Sequence, residues 1–374
     1  MTCASEQRGT FFRAFNLAKY LVKGGHKICL ICGDKQGKLR LSSKFVENVE
    51  VITVPYSFRL AKWSFAQAVD GLINTLNILT RESDLVHFFA PNAPSVAFSL
   101  LFARCERILS SKVIMTDWDD WWGQGGIYAR HGLLVHEIGT LLEEQSPFLA
   151  DGTTVVSSIL HQRAVRLGLK NVFTVPNGSN VDEIKPIPKS LARCELSLPD
   201  DSVVFCHIGL ADLSKTVSLI KKKIPKALVL VVGGKPGSNK QLIHWSGIIY
   251  TGHQPYNRIP LYLAAADILL LKTENEIAEA ARWPIRLGDY LAAGRPIVTG
   301  DIGETGRVIR ENACGLLARP GDPIDLAKRA IEAASMPAQW TSMGHNARTA
   351  AEKKFSWQIV AQQLEKVYDK YIEL

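Results

Sequence analysis

The stretch WPIRLGDYLAAGRP, residues 283–296, predicts a short helix that leads into a buried strand. Pro284 presets φ for a first helical turn, where its missing N–H would have no partner anyway. Leu287 and Leu291 lie one turn apart and can pack on the same side, and Gly294 followed by Pro296 ends the helix. The apolar residues at 297–299 then read as a short strand, so the segment belongs to an α/β array.

Two charged residues lie on this helix, three positions apart. They are Arg286 and Asp289, near a helix start that favours anions. On local physics alone they form a surface ion pair worth only about 0.2–0.5 kcal/mol. That interpretation assigns the helix no function, so the wider sequence has to decide between it and a binding role.

The wider string P-x-[KR]-L-G-[DE]-Y-L-A-A-G-x-P-I-V resembles the nucleotide-sugar-binding helix of the family 4 glycosyltransferases, which have the GT-B fold. Further blocks match this family in the same order: Val175-Pro176-Asn177-Gly178, Tyr250-Thr251-Gly252-His253, Ala265-Ala266-Asp267, Cys314-Gly315-Leu316-Leu317 and Pro320-Gly321-Asp322. The resemblance implies an α/β protein with two Rossmann-like parallel-sheet domains facing across a cleft. It also implies a C-terminal helix that crosses back to the N-terminal domain.

The same resemblance implies an enzyme, a hexosyltransferase that retains the anomeric configuration. Its donor would be a UDP- or GDP-sugar, and its acceptor a hydroxyl group of a glycan, a lipid-linked sugar or another molecule, as in the synthesis of cell-envelope polysaccharides. Such enzymes need no metal and no protein nucleophile, because the acceptor hydroxyl attacks from the leaving-group side with the phosphate helping as base. We therefore expect no cofactor besides the donor.

Length and composition agree with two globular domains. The chain has 374 residues, which is too many for one ordinary core and suits two domains of roughly 150–200 residues. Its 47% hydrophobic and 21% charged residues are typical of a soluble protein. No apolar run approaches the roughly 18–20 residues of a membrane-spanning helix, and the start lacks a signal-peptide core, so we expect a cytoplasmic protein.

The net charge of +8 and the pI near 9.0 favour an anionic partner, such as a nucleotide diphosphate or an anionic membrane surface. The basic residues are spread along the chain without a nucleic-acid motif, so we expect no nucleic-acid partner. Cys29 and Cys32 form a C-x-x-C within a strand-like run, where they point to opposite faces. No second pair completes a zinc site, so we expect the seven cysteines to be buried and reduced. The sequence assigns no oligomeric state.

Alternating strands and helices predict a first domain over residues 1–180. Thr10 can cap a helix from Phe11 to Lys23, and the turn at Arg8-Gly9 precedes it. A doubly wound domain normally begins with a central strand before this turn. The first eight residues show no strand pattern, so we predict that the first strand is missing.

The rest of the chain predicts a linker and a second domain. Residues 181–201 contain Pro186, Pro188 and Pro199 and are typical of a linker. Residues 202–354 repeat the βα order, with strands predicted near 203–208, 227–232, 248–251, 268–271, 297–299 and 316–318. Residues 355–374 predict an amphipathic helix, which the resemblance places on the N-terminal domain.

The resemblance assigns a donor site to the second domain, where strand carboxyl ends bind ligands. Asp289 matches the carboxylate, usually Glu, that holds the ribose of the sugar nucleotide. Lys215, which follows Gly209 after the first strand, matches the lysine that neutralises the diphosphate, although it could equally be a solvated helix lysine. The arginine usually found shortly before this lysine is replaced by Leu210-Ala211-Asp212, and Arg286 can compensate.

Acidic residues near the donor sugar are less clearly assigned. The family's E-x7-E pair would place its first carboxylate at position 281, which is Ala281 here. Glu274, Glu276 or Glu279 could reach the same sugar hydroxyls, and the sequence does not choose among them. Glu304 matches a loop carboxylate near the nucleoside, but it could also be an acid that stabilises a helix N-terminus.

Two segments of the first domain are expected to face the ligand in this fold. They are the loop at Gly9 and the run DWDDWWG, residues 117–123. Three carboxylates within four residues suggest a metal, but no histidine or further acid lies at ligand spacing. We predict that Asp117, Asp119 or Asp120 contacts the donor sugar or the acceptor. The alternative is a purely structural turn.

Residues 56–65, YSFRLAKWSF, interleave aromatic residues with cations. The pattern suits an interfacial helix on anionic lipid, although packed aromatics with solvated lysines would look the same. Such contact would be peripheral, at the inner face of the membrane.

Two hypotheses remain besides the leading one. A degenerate GT-B protein could bind a sugar nucleotide or a partner without catalysis, as Ala281, the absent arginine and the missing strand suggest. Another GT-B enzyme, such as an epimerase or a phosphorylase, is the third, but phosphorylases have a longer chain with a pyridoxal lysine.

Overall fold

The structure is a computed structural model, and it describes residues 1–3, 9–34, 41–54, 71, 73, 75–78, 80–106, 112–233 and 247–372. The chain forms two compact units. The first unit comprises Met1–Asn177, Ala281–Trp283 and Trp357–Leu374, and the second comprises Gly178–Ala280 and Pro284–Ser356.

Within the described residues, the first unit contains an eight-stranded sheet with the order β3-β4-β2-β1-β5-β6-β7-β8. Its strands are β1 Thr2–Cys3, β2 Cys29–Gly33, β3 Ser42–Val46, β4 Val49–Val54, β5 Leu85–Phe89, β6 Val113–Trp118, β7 Gly152–Val155 and β8 Val172–Thr174. Its helices are α1 Gly9–Lys23, α2 Pro94–Glu106, α3 Leu133–Gln145, α4 Ser158–Arg166 and the last helix of the chain, α13 Trp357–Tyr368. Short 3-10 turns lie at Ile127–Arg130 and Ser146–Leu149.

The prediction that the first strand is missing is wrong. β1 lies in the middle of the sheet, where Thr2 pairs in parallel with Ile31 of β2 and with Phe88 of β5. A two-residue strand has no period-2 pattern to read, so its neighbours in the sheet, not its own sequence, define it. A second unpredicted strand, β3, pairs antiparallel with β4 at the sheet edge.

Helices cover both faces of this sheet. On one face α1 and α13 pack together through Leu17, Trp357 and Leu364, all fully buried. On the other face α2 contributes Val96 and Leu100 to a separate core. The last helix therefore belongs to the first unit, where it buries its apolar stripe.

The second unit is a parallel sheet of six strands among the described residues, in the order β11-β10-β9-β12-β13-β14. The strands are β9 Val204–Ile208, β10 Leu228–Val232, β11 Ile248–Gly252, β12 Ile268–Leu271, β13 Ile297–Gly300 and β14 Gly315–Ala318, each within one residue of its predicted ends. The helices are α5 Lys189–Glu195, α6 Ser214–Lys223, α7 Ile259–Ala265, α8 Ile277–Ala281, α9 Ile285–Ala293, α10 Gly303–Asn312, α11 Pro323–Ala334 and α12 Pro337–Lys353, and the last residue of α8 belongs to the first unit.

The predicted linker at 181–201 is part of the second unit. It contains α5, whose Arg193 is buried and bonds to Asp267 with an Nη2–Oδ2 distance of 2.6 Å. A second cation, Lys189, reaches the other oxygen of the same carboxylate at 2.6 Å. The segment contains the three prolines that suggested a linker. The ion pairs of Lys189 and Arg193 with Asp267 nevertheless hold it to the second unit.

Other expectations fall outside or differ from the described structure. Residues 56–65, with their aromatic and cationic pattern, lie outside the described residues. Cys32 is buried, but Cys105 and Cys194 are exposed, so burial does not hold for every cysteine. In the part of the chain that the structure describes, no helix combines the length and apolarity required to span a membrane.

Candidate functional site

The helix that the opening stretch predicts is α9, and its ends match the prediction. Pro284 is the N-cap residue, with φ −64°, and Gly294 ends the helix in the left-handed conformation with φ +64°. Leu287 and Leu291 are fully buried, so they fix the rotation of the helix about its axis. Arg286 and Asp289 do not pair with each other but bond to different elements, which overturns the local interpretation of a surface ion pair.

Arg286 lies at the carboxyl end of β9. Its Nη1 donates to the carbonyl of Ile208 at 2.7 Å, and a Cβ on Gly209 would lie 2.9 Å from the same nitrogen. Gly209 has φ +102°, a conformation in which glycine avoids strain. The sheet order changes direction between β9 and β12, and parallel sheets bind ligands at such a point. The structure thus brings Arg286 to the loop whose usual arginine is missing, while Leu210 is exposed there.

Asp289 is 5% exposed and accepts a hydrogen bond from the Tyr256 hydroxyl at 2.7 Å. The same hydroxyl accepts from Nδ2 of Asn180 at 2.6 Å. Burial raises the pKa of Asp289 to about 7, the Tyr256 hydrogen bond lowers it, and the charge of Glu183 raises it further. The carboxylate of Asp289 thus has a neutral hydrogen-bond partner, and its burial makes the ionised form unfavourable.

Lys215 and Glu304 lie in the first turns of α6 and α10. Lys215 is exposed, as a diphosphate-binding lysine and a solvated helix lysine would both be. Glu304 is buried and bonds to Nε of Arg307 at 2.8 Å. Its charge is therefore compensated within its own helix, which agrees with the alternative reading of a structural acid.

The three acids offered in place of Ala281 follow β12. Glu274 forms an ion pair with Lys272 at 2.8 Å, Glu276 is exposed, and Glu279 is half-buried in the first turn of α8. Ala281 itself is fully buried, and its carbonyl accepts from the Ser157 hydroxyl. Position 281 therefore serves packing.

Sequence reasoning missed two buried side chains at the carboxyl ends of β9 and β12. Tyr290 accepts from the Ile208 N–H at 2.8 Å and donates to the Leu270 carbonyl at 3.2 Å, so it ties α9 to both strands. His207 donates from Nδ1 to the same carbonyl at 2.9 Å, and burial lowers its pKa to about 4. The neutral ring leaves Nε2 as a buried acceptor with no partner among the described residues. Tyr290 directly follows Asp289 in the family string, which was the available signal.

In the first unit, Asp117 is a buried partner of Arg13. The guanidinium of Arg13 donates from Nε to Oδ2 at 2.9 Å and from Nη2 to Oδ1 at 2.8 Å. Both side chains are at most 1% exposed. Arg13 also donates to the carbonyls of Val175 and Pro176. Asp117, predicted to contact a sugar, thus has its charge and both oxygens engaged in the core.

A chain of buried hydrogen bonds extends from this ion pair to the last helix. Thr154 donates to Asp117 at 2.6 Å, so its oxygen accepts from Nε2 of His87 at 3.1 Å. Nδ1 of His87 then accepts from the Tyr368 hydroxyl at 2.7 Å. Burial lowers the pKa of His87 to about 4, which keeps the ring neutral. The network therefore joins α1, three strands and α13 in one unit.

The other two acids of the run have separate partners. Asp119 accepts from the Thr10 hydroxyl at 2.5 Å, next to Gly9 at the start of α1, and its Oδ1 is buried without a partner among the described residues. Burial raises the pKa of Asp119. Asp120 pairs with Nε of Arg282 at 3.0 Å, partly exposed. The described residues contain no cluster of three potential metal ligands. Oδ1 of Asp119 thus lies near the Trp122 side chain but makes no hydrogen bond of standard geometry to the described residues.

Glu143 of α3 positions this loop, and sequence reasoning missed it. It is fully buried and accepts from the N–H groups of Trp122 at 2.8 Å and Gly123 at 2.7 Å. Arg163 neutralises it at 2.7 Å and lies 4.1 Å from the centre of the Trp121 ring. Its partners are 20 or more residues away, so no local motif indicated it.

Comparison with known proteins agrees with this geometry. The family model described as Glycosyltransferase Family 4 matches residues 8–183, and the model described as Glycosyl transferases group 1 matches residues 206–335. The sucrose-phosphate synthase of Thermosynechococcus elongatus superposes with a TM-score of 0.74 at 16% identity, over 98% of this chain and 94% of that one. The fold is the GT-B fold.

Two curated relatives have similar sequences. The D-inositol 3-phosphate glycosyltransferase 2 of Catenulispora acidiphila is 25% identical over 54% of this chain and 51% of its own length. The chain thus spans about half the length of that relative. The GDP-mannose-dependent monoacylated alpha-(1-6)-phosphatidylinositol monomannoside mannosyltransferase of Corynebacterium glutamicum is 26% identical over 85% of this chain and 83% of its own. The chain belongs to the family 4 glycosyltransferases.

Proposed function

We propose that the protein is a retaining hexosyltransferase that uses a UDP- or GDP-sugar and needs no metal. The observation that carries this proposal is the placement of two side chains of α9. Arg286 reaches the loop at Gly209, and Asp289, one turn further along the same helix, keeps a carboxylate that no cation of the described residues neutralises by an ion pair. Family membership supports the same conclusion.

The donor chemistry follows from these two groups. Arg286 would stabilise the negative charge that grows on the diphosphate as the bond to the sugar breaks, with Lys215 as a second cation. Gly209 lets the diphosphate approach the backbone, because it has no Cβ. Asp289 would accept hydrogen bonds from the ribose hydroxyls, and this gain would offset the cost of its buried charge.

The sugar side of the reaction would use Asp119. Its unpartnered oxygen can accept from a hydroxyl of the donor sugar or of the acceptor while Thr10 holds the other oxygen. In the transfer, the bond from the anomeric carbon to the phosphate oxygen breaks and the bond to the acceptor oxygen forms on the same face. The acceptor proton passes to the departing phosphate, so no side chain is required as nucleophile.

The name of the Corynebacterium relative includes GDP-mannose and a phosphatidylinositol acceptor. We therefore favour GDP-mannose among the donors to be tested and a lipid-linked molecule among the acceptors. We place the activity in the cytoplasm, at the inner face of the membrane.

A thermal-shift panel of UDP-, GDP- and ADP-sugars tests the donor assignment, because a ligand that binds the native state raises the midpoint. The wild type is compared with Asp289→Ala and with Asp201→Ala, which removes an exposed carboxylate of the same unit before β9. We expect one donor to shift the wild type and Asp201→Ala equally and Asp289→Ala much less. No shift in the wild type would refute the donor assignment, and an equal shift in Asp289→Ala would exclude this residue.

A second measurement separates catalysis from mere binding. Release of free sugar or transfer to an added acceptor is followed with the donor that gives the shift. Turnover by the wild type supports the enzyme. Binding without any turnover, across lipid and glycan acceptors, would instead favour the non-catalytic binding protein.

A further inference from the structure

Three tryptophans follow one another closely at the end of β6, and the structure gives their rings different surroundings. Trp118 is 2% exposed and belongs to the core. The ring of Trp122 packs against Tyr128, with 5.4 Å between the ring centres. Trp121 is half-buried, and its ring contacts a cation instead. The function proposed above gives this third ring no role.

The ring of Trp121 is held from two directions. The guanidinium carbon of Arg163 lies over the ring, 4.1 Å from its centre, so it covers one face. Nε1 donates to the Gln124 carbonyl at 2.8 Å, which turns the pyrrole edge towards its own loop. A Cβ on Gly126 would lie 2.5 Å from Cδ1 of the same edge, so a side chain there would collide with the ring. Neither contact involves the face opposite Arg163.

Arg163 is itself fixed, so it gives the ring a rigid support. It is 6% exposed, and its Nη1 and Nη2 lie 2.7 Å from Glu143 and 3.1 Å from Glu144. The guanidinium carbon also lies 5.2 Å from the ring centre of Trp118. Glu143 holds the N–H groups of the two residues that follow Trp121. The orientation of the ring is therefore set before any ligand binds, which lowers the entropic cost of binding.

The position of this ring in the sheet is one where ligands bind. β5, β6 and β7 are parallel neighbours, so the loops that follow them leave the same edge of the sheet. Asn92, in the loop after β5, donates to the Tyr128 hydroxyl at 2.8 Å, and the Tyr128 N–H donates to the Trp122 carbonyl at 2.7 Å. Oδ1 of Asn92 is buried and has no hydrogen-bond partner among the described residues. The loop after β5 thus adds a polar group beside the tryptophan loop.

A flat apolar face next to hydrogen-bonding groups fits a polyol that is closed into a ring. The C–H groups of a pyranose or a cyclitol form an apolar patch on one face of the ring, and the hydroxyl groups lie around its rim. Asp119 and Asp120 directly precede Trp121, and carboxylates accept hydrogen bonds from hydroxyl groups. An open-chain polyol has the same hydroxyl groups but no rigid apolar face, and it loses more conformational freedom on binding.

We infer that the face of Trp121 opposite Arg163 stacks on the ring of the acceptor and makes the protein select a ring polyol over an open-chain one. That the bound ring is the acceptor rests on the proposed function, whereas the binding of a ring polyol does not. Trp121 would act as a specificity-determining residue, because it touches the ring that carries the attacking hydroxyl.

Saturation-transfer NMR without turnover tests the inference. The probes are methyl α-D-mannopyranoside for a sugar, myo-inositol for a cyclitol, and D-mannitol, an open-chain polyol with as many hydroxyl groups as myo-inositol. The variants are Trp121→Phe, which keeps a flat ring, and Trp121→Leu, which keeps apolar cover over Arg163 without a flat face. Both remove part of the indole, so we expect similar thermal midpoints for the two.

We expect the wild type to saturate the C–H protons of one face of the mannoside, of myo-inositol or of both, and to saturate mannitol much less. Trp121→Phe should keep this pattern, and Trp121→Leu should weaken binding about tenfold, as when a stacked base loses its aromatic partner. The probe that binds identifies the acceptor ring as a sugar or a cyclitol.

Three results would overturn the inference. The first is a wild type that saturates neither ring compound, and the second is one that saturates mannitol equally. The third is equal binding by Trp121→Phe and Trp121→Leu, because the ring would then only shield the ion pair of Arg163 and Glu143 from water.

The thermal shift by the donor, measured on the same proteins, keeps this inference apart from the proposed function. If no donor shifts the wild type while ring binding depends on a flat side chain at position 121, the proposed function fails and the ring-binding site stands. If a donor shifts the wild type and neither ring compound binds, the donor assignment stands and the role of Trp121 is refuted.

Discussion

Asp117 in the first unit and Asp289 in the second are both almost fully buried, yet their surroundings differ in charge. Asp117 is met by the Arg13 guanidinium through two hydrogen bonds and by the Thr154 hydroxyl. Asp289 is met by the neutral Tyr256 hydroxyl, and its pKa is raised to about 7. A buried carboxylate that is neutralised by a cation of its own chain has a structural role. A buried carboxylate with only a neutral partner is stabilised most by the two hydroxyl groups of a bound ligand.

The largest expected effect comes from removing the cation. Arg13→Met leaves Asp117 buried without its counter-charge, and we expect a loss of about 3–5 kcal/mol in the free energy of unfolding. Urea denaturation followed by tryptophan fluorescence measures it. The double variant Arg13→Met, Asp117→Asn should recover part of the loss. A loss of less than about 1 kcal/mol in the single variant would mean that water replaces the guanidinium.

The corresponding change in the second unit removes a hydroxyl instead of a charge. Tyr256→Phe leaves Asp289 without its donor and Asn180 without its acceptor, which we expect to cost about 1–3 kcal/mol. The pKa of Asp289 should rise further, because the Tyr256 hydrogen bond lowers it. Tyr250→Phe, at a half-buried tyrosine of the same unit, is the control. Equal stability of the two variants in urea would show that this hydrogen bond contributes nothing.

The pH dependence of stability tests the raised pKa of Asp289. The pKa of Asp289 is about 7 in the folded state, above the ordinary value of 3.8. Folding therefore takes up a proton at pH values between 3.8 and 7. Its contribution to stability is therefore fully present below pH 3.8 and is lost as the pH rises towards 7, at a slope of at most about 1.4 kcal/mol per pH unit. Subtracting the profile of Asp289→Asn from that of the wild type isolates this slope. A flat difference would refute the raised pKa.

The smallest effect is expected at Asp120, three residues from Asp117. Its ion pair with Arg282 is partly exposed, with side chains 25% and 29% accessible, so solvent screens it. Asp120→Asn should change the free energy of unfolding by about 0–1 kcal/mol. Asp117→Asn in the same run is the matched comparison and should cost more. Equal losses in urea would contradict the distinction drawn between buried and screened pairs.

Much of the second unit could be predicted from the chain. Apolar runs of four to six residues between turn residues identify its strands, and proline and glycine mark both ends of α9. The first unit was harder to predict at its centre, because β1 is two residues long and only its neighbours β2 and β5 make it a strand.

The candidate site divides in the same way. The family string indicated Asp289 and Arg286, and the structure places Arg286 beside Gly209. Its compensation for the missing arginine stays a prediction. The sequence could not choose among Asp117, Asp119 and Asp120 as the ligand contact, because Arg13, the partner of Asp117, is 104 residues away from it. Glu143 and Tyr256 stayed unrecognised for the same reason.

The sequence by itself determined the fold class, the family and the helix that carries the candidate donor site, because these depend on periodicity and on residues close together in the chain. Only the tertiary structure decided which acids are neutralised by a cation and which are buried without one. Burial and counter-charge depend on side chains that folding brings together from distant positions, and no spacing within a motif encodes them.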